Sequence, residues 1–151
     1  MVTLFDGERA AGLLSGATHL PKQVEPKSVL LTASQILRFT SSGEVDFGGS
    51  EYKEAETEPV EPAKRASDDK YGWWDLAGGT YVLVLNEEVA IPQGCVGLLL
   101  PSSKITRSGA SHAVQVLPDV SEDLRVTLFV PQCGIRIKQN ARVSQLIVMG
   151  P

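Results

Sequence analysis

The chain has little of what several kinds of protein site require. It contains two cysteines and two histidines among 151 residues, with no CxxC pair and no zinc-ligand spacing, so a zinc centre is not expected. No GxxxxGK phosphate loop and no apolar run of about 18 residues occurs, which excludes a P-loop domain and a membrane-spanning helix. The net charge is −4, and binding to nucleic acid or to an anionic membrane requires a basic surface. Neither kind of partner is expected.

Length and composition predict one packed domain over residues 1–151. Hydrophobic residues make up 42% of the chain, and a domain of this size can bury a core without cross-links. Cys95 and Cys133 are far apart in sequence and each lies beside an apolar strand, so free, buried thiols are expected. The first residues are acidic where a secretory signal would be basic, which predicts a cytoplasmic protein.

Short apolar segments with strand composition follow one another from Thr80 onward, separated by turn residues. They are TYVLVL, EEVAI, CVGLLL, HAVQVL, LRVTLFV, GIRI and RVSQLIVM. Only the start of the chain has a helical pattern, where Asp6 is expected to cap one short helix. Leu13 and Leu14 would lie on its inner face, and Gly16 would take its left-handed end. The even spacing predicts an all-β jelly roll or barrel.

The region between the first residues and these strands holds a polar segment and an aromatic pair. Residues 48–70 contain two prolines and almost no bulky apolar side chain, which predicts a long mobile loop. For Trp73 and Trp74, packing on the core or on a subunit is favoured over base stacking. The pair Glu87 and Glu88 is expected in a solvated turn.

The segment PSSKITRSG, residues 101–109, has the composition of an anion-binding turn. Its small hydroxyl residues allow backbone N–H groups to approach a phosphate, and Lys104 and Arg107 supply charge-assisted donors. Taken alone, the segment is more simply interpreted as a solvated polar turn.

Three segments together resemble the dUTPase and dCTP deaminase superfamily, and most of all its archaeal-type dUTPases: YGWWDLAGGTY, PSSKITRSG and GIRIKQNARVSQL. The resemblance implies a distorted jelly-roll barrel that forms a homotrimer with three sites at subunit boundaries. The ligand would be a deoxynucleoside triphosphate, dUTP, with Mg²⁺ bound through the triphosphate, and the products would be dUMP and diphosphate. Ser103, Lys104, Arg107 and Gln145 would bind the phosphates.

The segment HAVQVLPDV is similar to the superfamily hairpin that selects uracil through its main chain. The implied nucleoside-binding residues are Val114, Gln115, Val116 and Leu117. The resemblance also implies that Asp119 is the general base that activates water. Read by itself, LPDVSEDL is an acidic turn.

Several positions depart from the superfamily pattern. Leu30 occupies the position of a metal-site Asp, Ser102 that of an Arg, and Ser121 and Glu122 that of an aromatic residue. The protein ligands of any metal therefore stay unassigned. Two hypotheses remain open: a working dUTPase with rearranged ligands, and a catalytically inactive trimer with a nucleotide-binding, regulatory or structural role.

Deamination is the other reaction of the superfamily. The superfamily's deaminases carry a catalytic Glu in a Thr-Leu-Glu-Leu strand, and this chain has Phe129 at that position. A phenyl ring cannot transfer a proton, so deamination is not expected.

Overall fold

The computed structural model describes residues 1–151 and contains fourteen strands and three short helices. The helices are α1 (Gly7–Ala11), α2 (Leu20–Gln23) and α3 (Ser103–Arg107). The strands are β1 (Thr3–Leu4), β2 (Leu14–Ser15), β3 (Val29–Phe39), β4 (Thr57–Pro59), β5 (Trp73–Leu76), β6 (Gly79–Leu85), β7 (Glu88–Ala90), β8 (Val96–Pro101), β9 (Ser111–His112), β10 (Gln115–Val116), β11 (Val120–Ser121), β12 (Arg125–Val130), β13 (Ile135–Lys138) and β14 (Arg142–Gly150). None of the helices is long and apolar enough to cross a bilayer. The all-β prediction is confirmed.

The main sheet has the strand order β10-β8-β14-β3-β6-β12-β9, with β1 added on β14 and β4 on β3. Two smaller sheets, β11-β7-β2 and β13-β5, complete the fold. Every strand pair is antiparallel. The curled sheets enclose one core cluster of 25 buried residues. Alternating side chains of a strand point to opposite faces of the sheet, so one face can join this core. Along β12, Val126, Leu128 and Val130 are buried, while Arg125 and Phe129 are exposed.

The amino-terminal helix is shorter than the sequence predicts. Asp6 caps it as expected, because its carboxylate accepts a hydrogen bond from the Arg9 N–H at 2.8 Å. The helix nevertheless ends at Ala11, and Leu14 pairs with Val89 in a small sheet instead of lying on a helical face. Gly16 has a φ of 75° but lies beyond β2, so it does not cap the helix.

The strand predictions hold for most of the chain from Thr80 onward, and the structure differs from the sequence prediction in one split strand, one short helix and one strand in the first half of the chain. HAVQVL is split into β9 and β10. Residues 103–107 of the predicted anion-binding turn form helix α3. The longest strand, β3, carries no sequence prediction at all. Within the predicted loop 48–70, the short strand β4 pairs with β3. The mobility of that loop stays a prediction.

Glu87 is not at the surface, and the sequence prediction for it is wrong. The residue is 1% exposed, and its carboxylate accepts hydrogen bonds from the Thr32 N–H at 2.8 Å, the Thr32 hydroxyl at 2.7 Å and the Gln23 amide at 2.9 Å. Three donors replace the water that the carboxylate loses on burial. Glu88 is exposed, as predicted.

The aromatic pair packs as predicted, whereas the thiols differ. Trp74 is buried and donates its indole N–H to the Val60 carbonyl at 2.9 Å. Trp73 is half-buried, with the Arg65 guanidinium 3.5 Å from its ring centroid. Both cysteines are free, but Cys95 is half-buried and Cys133 is exposed. The prediction of burial is therefore wrong for Cys133, because the turn around it faces solvent, and Cys95 is only partly buried.

Candidate anion-binding site

The two segments that the sequence analysis linked to phosphate are neighbours in the sheet. β14 pairs with β8, so that Gln145 lies opposite Leu100 and Ser144 opposite Pro101. The Gln145 side-chain amide donates to the Pro101 carbonyl at 3.2 Å. The sheet thus carries Gln145 to the point where the chain leaves β8 and enters α3.

Ser102 fixes the start of α3. Its hydroxyl oxygen accepts a hydrogen bond from the Ile105 N–H at 3.4 Å, and its hydroxyl donates to the Arg142 carbonyl at 3.3 Å. The residue is 4% exposed. Ser102 therefore holds the helix against β14 from inside the protein, while the next two residues, Ser103 and Lys104, are exposed.

An open cavity of about 450 Å³ lies where these segments meet the turn before β3. Its lining comes from three parts of the chain and is almost entirely polar. The lining residues are Glu25, Pro26, Lys27, Ser28, Leu30, Ser102, Ser103, Lys104, Arg142 and Gln145. Ser103, Lys104 and Gln145, which were predicted to bind phosphate, lie together in this lining.

The cavity carries more positive than negative charge. Lys27, Lys104 and Arg142 line it against a single carboxylate, that of Glu25. None of the three cations belongs to an ion pair of the structure; the pairs join Arg38 to Glu58, Arg125 to Asp123 and Arg136 to Asp75. Arg142 donates from Nη1 to the Lys22 carbonyl at 2.8 Å, which orients its guanidinium and leaves its other N–H groups available. Such a lining suits an anion with several charges.

The buried Glu87 network supports one wall of the cavity. Gln23 donates to the Leu30 carbonyl at 2.8 Å as well as to Glu87, and Thr32 accepts from the Asn86 amide at 2.9 Å. Leu30 lines the cavity and Thr32 follows it by two residues on β3. The network fixes the end of β3 that faces the cavity.

A second buried pair lies on the other side of β14. His112 is 3% exposed and Ser144 is fully buried. His112 Nδ1 lies 2.8 Å from the Ala113 carbonyl, and Nε2 lies 2.8 Å from the Ser144 hydroxyl. Because a carbonyl only accepts, the neutral ring carries its proton on Nδ1 and accepts from Ser144 at Nε2. Burial lowers the pKa of His112, against hydrogen bonding to the Ala113 and Leu100 backbone, which raises it.

The remaining sequence-predicted site residues do not line the cavity of the same chain. Arg107 is exposed at the end of α3, and Asp119 is exposed after β10. In the predicted nucleoside-binding hairpin, Val114, Gln115 and Val116 are exposed, whereas Leu117 is buried. The Leu117 side chain belongs to the core cluster, so only its main chain is available to a ligand.

The strand register shows how far Asp119 lies from the cavity of the same chain. Leu117 N–H donates to the Gly97 carbonyl at 2.9 Å, and Gly97 precedes Pro101 by four residues, or about 13 Å of strand. Asp119 continues away from the cavity, with its carbonyl accepting from the Ile91 N–H at 2.7 Å. Within one chain, Asp119 and the cavity are therefore well apart.

Two cavity residues were missed in the sequence analysis. Lys27 precedes β3 in a turn that has no recognisable anion-binding pattern. Arg142 belongs to the segment ARVSQL, which was noted for its resemblance, but no phosphate role was assigned to it. The signal available for Arg142 was its spacing of three residues from Gln145 in that segment. Nothing in the sequence around Lys27 places it beside Lys104, because the strands between them have to pair first.

Comparison with known proteins agrees with this architecture. A probable deoxyuridine 5'-triphosphate nucleotidohydrolase of Methanosarcina mazei is 32% identical over 139 residues, which are 89% of this chain and 77% of the relative. The protein of the same name from Aeropyrum pernix is 30% identical over 139 residues, 91% of this chain and 80% of the relative.

The fold is also found among solved structures. The crystal structure of 2'-deoxycytidine 5'-triphosphate deaminase from Agrobacterium tumefaciens superposes with a TM-score of 0.69 at 14% identity, over 99% of this chain and 49% of that chain. This chain thus matches about half the length of the deaminase, and at this identity the likeness shows the fold alone. The sequence profile of dCTP deaminase-like proteins matches residues 8–150. The chain belongs to the dCTP deaminase-like family, which is the superfamily that its sequence resembles.

Proposed function

We propose that the protein hydrolyses dUTP to dUMP and diphosphate. The observation that carries the proposal is the cavity in which Ser103, Lys104 and Gln145 meet Arg142, because its charge and donors suit a triphosphate. The relatives named as deoxyuridine 5'-triphosphate nucleotidohydrolases support this choice of substrate. Phe129 supports hydrolysis over deamination, since a phenyl ring at that position has no proton to transfer. The cytoplasm is the expected location.

In the proposed reaction, a water oxygen attacks the α-phosphorus. The Asp119 carboxylate accepts a proton from this water, and the bond between the α-phosphorus and the bridging oxygen to the β-phosphorus breaks. The electron pair of that bond leaves with diphosphate, whose charge Lys104 and Arg142 stabilise. Gln145 and Ser103 orient the phosphate oxygens. The main chain of Val114–Leu117 holds the uracil.

This mechanism requires more than one chain. Asp119 and the cavity are separated along β8 and β10 within a chain, so we propose that the hairpin of one subunit completes the cavity of another in a homotrimer. Two features support the assembly: Val114 and Val116 are 58% and 63% exposed in the isolated chain, and Arg107 is exposed and does not line the cavity of its own chain. Arg107 would bind phosphate at the neighbouring site.

The residues of the cavity do not fit a protein-held magnesium ion. Mg²⁺ prefers hard oxygen ligands, and the cavity offers the hydrocarbon of Leu30 and one carboxylate, that of Glu25. No group of three or more His, Cys, Asp and Glu side chains that could hold a metal occurs in the chain. Magnesium would therefore arrive only as part of the nucleotide complex, and no step of the mechanism depends on a metal ligand of this protein.

One observation favours the second function, a catalytically inactive nucleotide-binding relative. Ser102 is committed to capping α3 from a buried position, so the position cannot supply the charge of the Arg found in the superfamily. An inactive trimer would still bind the nucleotide through Lys104, Arg142 and Gln145.

The test is release of diphosphate from dUTP, measured beside dCTP and dTTP as comparison substrates. We expect turnover of dUTP at a rate at least about tenfold above either comparison. Cytosine would leave hydrogen bonds of the hairpin main chain unmade, and thymine carries a 5-methyl group for which a site shaped for uracil has no room. Asp119→Asn should remove turnover and leave dUTP binding within about threefold of wild type, because it retains the shape of the side chain. Binding of dUTP without turnover by the wild-type protein would establish the inactive relative instead.

A further inference from the structure

The cavity holds a charge arrangement that bears on how a triphosphate is neutralised. Three cationic side chains and one carboxylate line it, which leaves a net charge of +2, the charge of one Mg²⁺ ion. The whole chain carries −4, so this concentration of positive charge is local. We infer that the cavity binds the triphosphate group through Lys27, Lys104 and Arg142 without requiring a divalent metal ion. The inference rests on the proposed function for its ligand class.

The three cations approach the cavity from separate, fixed elements. Lys27 lies in the turn before β3, Lys104 in the first turn of α3, and Arg142 at the start of β14. Because they belong to three different elements and line one cavity, all three are available to a single extended anion. A triphosphate has several charged oxygens along its length and matches three separated donors better than a single phosphate does.

The turn that carries Lys27 is held in place by the backbone. The Gly7 N–H donates to the Pro26 carbonyl at 3.0 Å, and the Glu25 N–H donates to the Ser28 carbonyl at 2.9 Å. A Cβ built on Gly7 would lie 1.6 Å from the Glu25 carbonyl oxygen, so only glycine allows α1 to pack this closely on the turn. Lys27 therefore projects from a rigid support.

Arg142 is oriented before any ligand arrives. One of its N–H groups is engaged by the Lys22 carbonyl, and the guanidinium has five N–H donors in all. The remaining donors can pair with phosphate oxygens in the two-point geometry that arginine favours. Neither Lys27 nor Lys104 has a hydrogen-bond or ion-pair partner that a ligand would have to displace.

Leu30 provides no ligand for a metal ion in the cavity. Its half-buried side chain lines the same cavity as the cations and offers no oxygen ligand, so a hydrated Mg²⁺ gains nothing from that wall. In this cavity, positive side chains of the protein thus neutralise the triphosphate in place of a metal ion that the protein coordinates.

The experiment measures binding of inorganic tripolyphosphate and of dUTP by calorimetry, in excess EDTA and in saturating MgCl₂. We expect both anions to bind in EDTA with an affinity within about threefold of that in Mg²⁺. Lys27→Gln and Lys104→Gln should each lower the affinity in EDTA about tenfold, as loss of one charge-assisted contact predicts. Lys53→Gln, which changes a lysine on an exposed segment away from the cavity, is the matched control and should leave the affinity unchanged. Added KCl should weaken binding, because the cations are exposed to screening.

A reverse substitution sharpens the test. Leu30→Asp introduces a metal-binding carboxylate and should lower the affinity in EDTA about tenfold while Mg²⁺ restores part of it. Leu30→Asn, whose side chain has the shape of aspartate without its charge, should bind both anions in EDTA with the affinity of the wild type. If circular dichroism shows that Leu30→Asp is unfolded, the affinities of Lys27→Gln and Lys104→Gln in EDTA still test the inference.

The outcomes separate the inference from the proposed function. Binding of tripolyphosphate in EDTA, with no binding of dUTP either in EDTA or in MgCl₂, would support the inference and contradict the function. Binding of dUTP only in the presence of Mg²⁺ would overturn the inference and leave the function intact. Failure of both anions to bind in EDTA would overturn the inference.

Discussion

His112 Nε2 lies 2.8 Å from the Ser144 hydroxyl, and both residues are buried. The bond joins the short strand β9 to β14, one residue before Gln145 on the wall of the cavity. Because the imidazole is almost enclosed, the pair has no access to substrate and acts as a structural link. Its contribution to folding can be tested apart from activity.

Ser144→Ala should destabilise the protein by about 1–3 kcal/mol, because it leaves His112 Nε2 buried without its donor. The matched control is Ser121→Ala. Ser121 has a buried hydroxyl oxygen with no hydrogen-bond partner, so its removal should be neutral or stabilising by up to about 1 kcal/mol. Urea denaturation of both variants measures the difference. Equal losses of stability in the two variants would contradict the role given to His112.

The lowered pKa of His112 predicts a dependence of stability on pH. Burial keeps the folded pKa below the ordinary value of 6.5, so below pH 6.5 the unfolded chain binds a proton that the folded chain resists. The stability that the neutral ring contributes is fully present above pH 6.5 and is lost as pH falls from there through the folded pKa. Denaturation curves across this range should show the loss. His112→Asn should remove that part of the slope, whereas His19→Asn, at an exposed position, should retain it.

Glu87→Gln should destabilise the protein by about 1–3 kcal/mol, since the new amide would present a donor to groups that are themselves donors. Glu88→Gln is the control in the adjacent position and should change the free energy of unfolding by less than about 0.5 kcal/mol, because Glu88 is exposed. Thermal unfolding of the two variants provides the comparison. A Glu87→Gln protein as stable as wild type would show that the buried network does not depend on the charge.

Structural features that depend on the local residue pattern could be predicted from the sequence. Features that depend on how distant strands pair could not. The regular alternation of β12 and the continuous apolar run of β6 allowed both strands to be predicted at nearly their observed bounds. β3 was not, because a register shift between Ala33 and Gln35 interrupts its alternation. α3 has five residues, too few for a helical period, although Ser102 was an available cap signal.

The candidate site shows the same division. Ser103, Lys104 and Gln145 could be chosen because the segments that contain them have recognisable composition or resemblance. Lys27 could not, since its position beside Lys104 depends on β3 and β8 both pairing with β14. Glu87 was mistaken for a surface residue because its partners, Thr32 and Gln23, are more than 50 residues away in sequence.

The central claim is that one chain supplies the phosphate cavity and another supplies the base. It is tested most directly by mixing two inactive proteins, Asp119→Asn and the double variant Lys27→Gln/Lys104→Gln, unfolding them together and refolding. If the residues come from different subunits, each mixed trimer contains one site with both intact parts, which amounts to about a quarter of all sites after random reassembly of equal amounts, and dUTP hydrolysis should recover to about a quarter of the wild-type rate. If all the residues act within one chain, no mixed site is complete. A mixture that stays as inactive as either parent, beside an active and identically refolded wild type, would contradict the account.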